Sequence, residues 1–489
     1  MSKEICQSAT KNIDQTIDCS FEIGANWLES VVFYSIPLDM GGDVHNLPLI
    51  LVWLALGSLA FTLYFKFINF RFFKHAIQVV SGKFDDKKQV GEISSFQALT
   101  ASLSGTVGLG NIAGVAIAIS VGGPGAVFWM IIMGFLGMSS KFLEVALGVK
   151  YRQEPKEGEE VFGGPMYYIK PAFDKIKLSK VGTIMSVLFA ILCIGGAIGG
   201  GNMFQANQAY QQVLNVTGGE ESILQDYGWV FGLFLAILTG VVTLGGVKAI
   251  GNVTSKLIPF MVLLYIGAGL IVIVMNIGAI PDALATIVRE ALTPAAGVGA
   301  LIGALIQGVK RASFSNEAGL GSAAIIYAAA RTGSHIQQGF AGMLGPFIDT
   351  IVICLITALV IVVTGEYQNT DGLAGVELTS RAFGQEISIF PYILAVSVFL
   401  FAYSTLITWS YYGEKATAYL FGDSKHVLNT FRIIFLCFVI VGCSLELGNV
   451  VRVSEALMFV MAIPNLMAMY LLAPEIKKDL KDYISQLRG

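Results

Sequence analysis

An all-α polytopic membrane protein is the fold this sequence predicts, and three observations carry that reading. Only 13% of the 489 residues are charged, against about 25% in a soluble globular chain, and the mean hydropathy is +0.70. Apolar runs of membrane-spanning length recur from Leu47 to Leu472; a helix needs about 20 such residues to cross a bilayer. Those runs are continuous and do not alternate every second residue, so a closed barrel is excluded and helices must satisfy the backbone inside the membrane.

The elements follow in chain order. The first 25 residues lack the apolar core of a cleaved signal peptide, so residues 1–46 are expected to form an arm outside the cytoplasm. Within it, residues 27–40 (WLESVVFYSIPLDM) are too short and too charged to span and suggest an interfacial helix. About eleven spans are expected: 47–70, 96–119, 123–148, 183–213, 229–248, 256–277, 298–330, 339–363, 390–412, 428–445 and 453–473. The first is an extra helix, 96–277 and 298–473 form two sets of five, and 474–489 is a soluble tail. Residues 150–182 read as a linker or as a docked amphipathic helix, and 364–389 as a loop able to act as a lid.

Charge gives the sidedness. Counting Lys and Arg in the loops and at span ends, with Lys141, Lys310 and Arg311 left out as lying inside spans, places 23 on one side and 5 on the other, which puts the N-terminus outside and the C-terminus in the cytoplasm of a multi-pass protein of the plasma (inner) membrane. A net charge of -3 without a basic, aromatic-interleaved patch offers nucleic acid nothing to bind. Four cysteines, Cys193, Cys354, Cys437 and Cys443, lie in apolar segments and read as buried thiols. Cys6 and Cys19 share the outer arm, as a disulfide or as two free thiols.

The stretch SGTVGLGNIAG, Ser104 to Gly114, fits the dinucleotide fingerprint G-x-G-x-x-[GA] at Gly108–Ala113. That fingerprint has meaning only after a strand in a soluble α/β unit, and here it lies mid-span. The seventh span carries SFSNEAGLGSA, and its Gly319-Leu320-Gly321 stands 211 residues after Gly108-Leu109-Gly110. Each interrupts the first span of a five-helix set, and the two sets run in opposite directions. Glycines in a lone run could simply permit close helix packing. Two runs in corresponding positions point to an inverted five-plus-five repeat with two broken helices, the sequence signature of a secondary transporter's binding site. Free N–H groups at such a break attract an anion and free carbonyls a cation, so a zwitterion with Na+ suits the pair.

The chain resembles the alanine or glycine:cation symporter family, also called sodium:alanine symporters. The resemblance rests on SFQALTASLSGTVGLGNIAGVA (95–116), GGPGAVFWM (122–130), KFLEVALGVKYR (141–152), FGGPMYYI (162–169), GNMFQANQ (201–208), FSNEAGLGSA (314–323) and the DT of PFIDT (346–350). VGLGN is also similar to the first broken helix of the neurotransmitter:sodium symporters, which share the fold of the leucine transporter. The resemblance implies Na+-driven import of a small neutral amino acid, alanine or glycine, by alternating access; H+ coupling, or another amino acid such as glutamine, is the alternative. It places the substrate carboxylate on the N–H groups of Leu109 and Gly110 with Thr106 nearby. It places Na+ on the carbonyls of Ser104 and Val107 and the hydroxyls of Ser404 and Thr405. Asn111 resembles an asparagine that ligates a second Na+. Phe204 becomes a pocket wall, Gln205 or Asn207 a polar contact, and Trp409 a wall limiting side-chain size; interhelical packing and an interfacial tryptophan are the plain alternatives.

Other charged and polar residues at membrane depth have to be placed too. Asn316 either bonds the substrate or caps the break. Glu317 either pairs with Lys310 or Arg311 or touches Na+, and Asp349 either bonds a helix end or binds an ion. Lys141 and Glu144, at i,i+3, read as a snorkelling structural pair. No H-E-x-x-H, Cys-x-x-Cys or Walker motif is present, so neither a membrane-embedded enzyme nor an organic cofactor has visible support. Inverted repeats with broken helices argue against a channel.

Overall fold

The computed structural model describes residues 24, 26–40, 43–85, 89–153, 160–292, 298–368, 375–445 and 447–488; the Cys6–Cys19 question lies outside them. Helix dominates. Seven described helices are long and apolar enough to cross a membrane, and one bent pair makes an eighth candidate span. Each expected span overlaps described helix, but 47–70, 96–119, 229–248, 298–330 and 453–473 are interrupted or begin outside it.

The arm departs from expectation. Among the described residues of the arm, helix covers 24 and 26–32, and β1 (Ser35–Met40) then pairs antiparallel with β2 (Asp43–Pro48), Ser35 opposite Pro48 and Leu38 opposite His45. The Gly-Gly pair at 41–42 is a hairpin signal, and Pro37 removes a helical hydrogen bond yet is tolerated in an edge strand. Helix α1 (Leu49–Tyr64) stops short of residue 70, because Lys66 and Phe67 adopt left-handed conformations with φ 55° and 54°.

The first predicted break is present. Helix α2 (Ser95–Thr106) starts at a capping box, in which Ser94 Oγ accepts from Gln97 N at 3.2 Å and Gln97 Oε1 from Ser94 N at 3.0 Å, satisfying two otherwise orphaned donors. It is bent by 61° from the following helix, α3 (Ala113–Gly122). Helices α4 (Gly125–Lys150), α5 (Ser179–Val216), α6 (Gly228–Thr243) and α7 (Gly246–Met275) complete the first set. Helix α8 (Val298–Asn316) and α9 (Ser322–Ala328) flank the second break. Then come α10 (His335–Val363), α11 (Val376–Gly384), α12 (Phe390–Phe421), α13 (Lys425–Ser444), α14 (Leu447–Phe459) and α15 (Ala462–Arg488).

Helix α5 widens to π geometry over Gly199–Met203. A Cβ on Gly201 would lie 2.1 Å from Trp409 Cγ and one on Gly200 1.9 Å from Met458 Sδ, so these two glycines let α12 and α14 lie against the bulge. The connection after α4 is a docked helix, Pro165–Asp174, whose Tyr168 hydroxyl bonds Asn465 of α15. The supposed lid contains α11, and the supposed soluble tail is the end of α15, where Glu475 and Asp479 pair with Lys150 of α4. Cys437 is exposed, unlike the buried Cys193, Cys354 and Cys443, so it faces the space the lipid would fill.

Candidate functional site

At the first break, Val107 and Gly108 leave helical geometry, and Leu109–Asn111 form one 3-10 turn before α3 begins. The freed N–H groups meet neutral acceptors. Leu109 N donates to Gln205 Oε1 at 2.9 Å, and the Gln205 amide nitrogen is tied to Gly200 O of the π bulge at 2.9 Å. Gly108 N donates to Asn111 Oδ1 at 3.0 Å. Thr106 folds its hydroxyl back to Ser102 O at 3.3 Å. Leu109, Gly110 and Gln205 are buried.

The carbonyl end of α2 lies against a row of hydroxyls on α12. Ser104 Oγ donates to Ser404 O at 2.6 Å, while Ser404 Oγ and Thr405 Oγ1 donate to Phe401 O at 3.0 and 2.9 Å. A donating hydroxyl keeps lone pairs for a cation. A Cβ on Gly108 would sit 2.6 Å from Thr405 Oγ1 and 2.7 Å from Gln205 Oε1, so Gly108 is where two candidate residues, Thr405 and Gln205, converge.

On the other flank, Asn111 Nδ2 donates to Ser315 Oγ at 3.0 Å and Asp349 Oδ2 at 2.9 Å. Ser315 Oγ and Thr350 Oγ1 donate to Asp349 Oδ1 at 2.6 and 2.7 Å. Asp349 therefore bonds side chains of α3's lead-in turn and α8, and not a helix end. Ser315 and Thr350 lie inside motifs that carry the resemblance, but nothing local marks a serine or threonine as closing a network between distant helices.

The second break is built differently. Glu317 is left-handed at φ 55°, as are Gly319 at 88° and Gly321 at 97°; a non-glycine there is strained and needs its surroundings to hold it. Gly319 N and Gly321 N both donate to Glu144 Oε2, at 3.0 and 3.1 Å. Asn465 Nδ2 donates to Gly319 O at 2.8 Å. Asn316 caps the end of α8: its Oδ1 accepts from Ala318 N at 3.0 Å and its Nδ2 donates to Thr350 Oγ1 at 3.1 Å.

Two charge assignments are corrected here. Lys141 and Glu144 do not snorkel; both are buried, 3.7 Å apart, and Lys141 Nζ donates to Glu317 O at 3.2 Å. Glu317 does not pair with Lys310 or Arg311, which both hold Glu455 of α14 at 2.5 Å. Glu317 instead accepts from Ser322 Oγ and, at 3.2 Å, from Trp409 Nε1, which also donates to Gly105 O at 3.1 Å. Trp409 thus bonds both breaks at once and is buried, not part of an interfacial belt.

Phe204 stacks edge-to-face on Phe314 with centroids 5.3 Å apart, and a Cβ on Gly110 would lie 3.4 Å from the same Phe314 ring. The first turn of α5 beyond its bulge therefore sits over both breaks. Asn207 points elsewhere: its Nδ2 donates to Gly442 O at 3.1 Å and Leu445 O at 2.6 Å, and its Oδ1 accepts from Gln208 at 3.1 Å.

Two discontinuous helices meeting inside a polytopic bundle, with polar backbone buried between them, define a secondary transporter. The fold has the same form as the crystal structure of MhsT in complex with L-phenylalanine, with a TM-score of 0.55 at 16% identity, covering 77% of this chain and 89% of that one. The model of the sodium:alanine symporter family matches residues 37–489, so the chain belongs to that family, one of transporters and not enzymes. Among its relatives, the sodium/alanine symporter AgcS of Methanococcus maripaludis is 40% identical over 89% of this chain and 94% of its own length. A probable sodium/glutamine symporter of Bacillus subtilis, GlnT, is 35% identical over 92% and 91%.

Proposed function

We propose that this protein imports a small neutral amino acid, alanine foremost and glycine beside it, together with Na+ by alternating access. We place it in the plasma membrane with its N-terminus outside and its C-terminus in the cytoplasm. One observation carries the reading. The freed N–H groups of the first break face only neutral acceptors, Gln205 and Asn111, next to the hydroxyls of Ser404 and Thr405. A substrate carboxylate can displace a neutral amide from Leu109 N and take Gly110 N with it, with Thr106 beside it. The carbonyls of Ser104 and Val107, with Ser404 and Thr405, suit Na+, and Asn111 beside Asp349 suits a second one. Phe204, Phe314 and Trp409 supply the apolar walls for the substrate side chain.

Coupling follows because both ligands order the same short break, so each lowers the cost of binding the other. GlnT supports glutamine as the second reading for substrate, and H+ remains the rival coupling ion. Uptake of labelled alanine into proteoliposomes, with and without a Na+ gradient, tests the proposal. Accumulation that requires inward Na+ and is competed by glycine is the expected result. Equal uptake in choline would reject Na+ coupling, and preferential competition by glutamine would reassign the substrate.

A further inference from the structure

The half-helices α2 and α9 are joined to each other at the ends away from the breaks. Residues 90–93 lead into α2, residues 329–332 trail from α9, and the two segments run parallel with Ile93 paired to Ala330. Glu92 N donates to Ala329 O at 2.8 Å, Arg331 N to Ile93 O at 2.7 Å and Thr332 N to Val90 O at 3.2 Å. Gly91, at φ 139°, lets the chains pass where a Cβ would collide with Ala330. Arg152, just past the end of α4, clasps this pairing. Its Nη1 donates to Ala328 O at 3.0 Å and Ala330 O at 2.7 Å, and its Nη2 to Val90 O at 2.9 Å and Thr332 O at 3.3 Å. A guanidinium presents its donors in a rigid planar fork, so one side chain can hold two segments.

Helix α4 thereby grips α9 at both ends. Glu144 holds the N–H groups of Gly319 and Gly321, and Arg152 holds the closing carbonyls, each charge sitting where the helix leaves the matching backbone groups free. Helix α2 is bound along its length to α12 instead. Ser104 Oγ donates to Ser404 O at 2.6 Å, Thr408 Oγ1 to Ala101 O at 3.2 Å and Trp409 Nε1 to Gly105 O at 3.1 Å. A path opened between α2 and α12 must break those bonds, whereas the pairing of 90–93 with 329–332 can stay whole.

We propose that Arg152 is a positioning residue for transport. It couples α2 to α9 and α4, so that the two half-helices leave α12 together and α2 does not swing alone. Arg152 acts only through the backbone at the far ends of both broken helices and takes no part in holding substrate or ion. This inference rests on the alternating access proposed above.

A covalent bridge between the two segments tests it. A Cβ on Gly333 would lie 2.6 Å from Gln89 Nε2, so full-length protein carrying Gln89→Cys and Gly333→Cys can be linked by a short bifunctional thiosulfonate, confirmed by peptide mass spectrometry, and reconstituted for alanine uptake. With Arg152 in place, the bridged protein is expected to transport as fast as the unbridged one, because the segments never part. A bridge that stops uptake would overturn the proposal. In the same background, Arg152→Gln is expected to lower the maximal rate about tenfold with KM nearly unchanged, the mark of a lost charge-assisted contact outside the substrate site, and the bridge is expected to restore most of that rate. Arg152→Lys keeps the charge without the fork; it should fall between the two and be restored likewise. Unchanged rates in both variants, or rates that stay low after bridging, would overturn the coupling. Uptake by the unbridged protein with Arg152 intact separates the two claims: its absence sinks the transport proposal, whereas uptake lost only on bridging sinks the coupling alone.

Discussion

The two breaks occupy corresponding places in the chain and have opposite chemistry. At the second, the glycine N–H groups of residues 319 and 321 are held by the full carboxylate of Glu144, with Lys141 beside it. At the first, Leu109 N and Gly108 N rest on neutral amide oxygens. A helix-terminal donor group already bound to a buried carboxylate has no reason to exchange it for another, since charge-assisted bonds are roughly twice as strong as neutral ones. One bound to an amide does. On the proposed reading the repeated structural defect has been specialised, with one break sealed as a structural joint and the other left exchangeable.

Four substitutions probe that contrast, from the largest expected effect to the smallest. Glu144→Ala strips the carboxylate from two buried N–H groups and leaves Lys141 without it; thermal unfolding in detergent should register a loss of about 3–5 kcal/mol. Gly108→Ala drives a methyl group to within 2.6 Å of Thr405 Oγ1. Overpacking of that kind costs about 1–3 kcal/mol, and alanine uptake should fall by more than tenfold. Thr405→Val keeps the shape and removes one oxygen from the proposed Na+ site; the Na+ concentration for half-maximal uptake should rise about tenfold, in line with the ~1–1.5 kcal/mol of one hydrogen-bonding group. Asn207→Ala, which touches neither break, should lower stability by only about 0.6–1.7 kcal/mol, the range for interhelical hydrogen bonds in membranes, with the KM for alanine unchanged.

Much of this was legible in the sequence, and the reason is local. Gly108, Gly110, Gly319 and Gly321 interrupt otherwise apolar runs, and glycine's conformational freedom is written in the residue itself. That Ser404 and Thr405 face the carbonyl end of the first broken helix was implied by family resemblance. The role of Glu144 was not legible. Its i,i+3 spacing from Lys141 suggests a self-sufficient pair, and the backbone groups it caps lie 175 and 177 residues away. The partners of Glu317 were misread for the same reason: Lys310 and Arg311 are near in sequence, but Glu455 reaches them across the fold. The strands at 35–40 and 43–48 differ from the expected interfacial helix because a short apolar run with charges fits either form.

The specialisation of the two breaks is tested most directly by Gln205→Glu, which would place a carboxylate on Leu109 N as Glu144 places one on Gly319 and Gly321. Calorimetric titration of the purified variant with alanine in saturating Na+, alongside the wild type and with the unfolding temperature as a control, is the measurement. A folded variant whose alanine affinity has dropped by at least a hundredfold is the expected result. Binding at wild-type affinity would mean that the substrate carboxylate sits elsewhere, and the first break would then be no more exchangeable than the second.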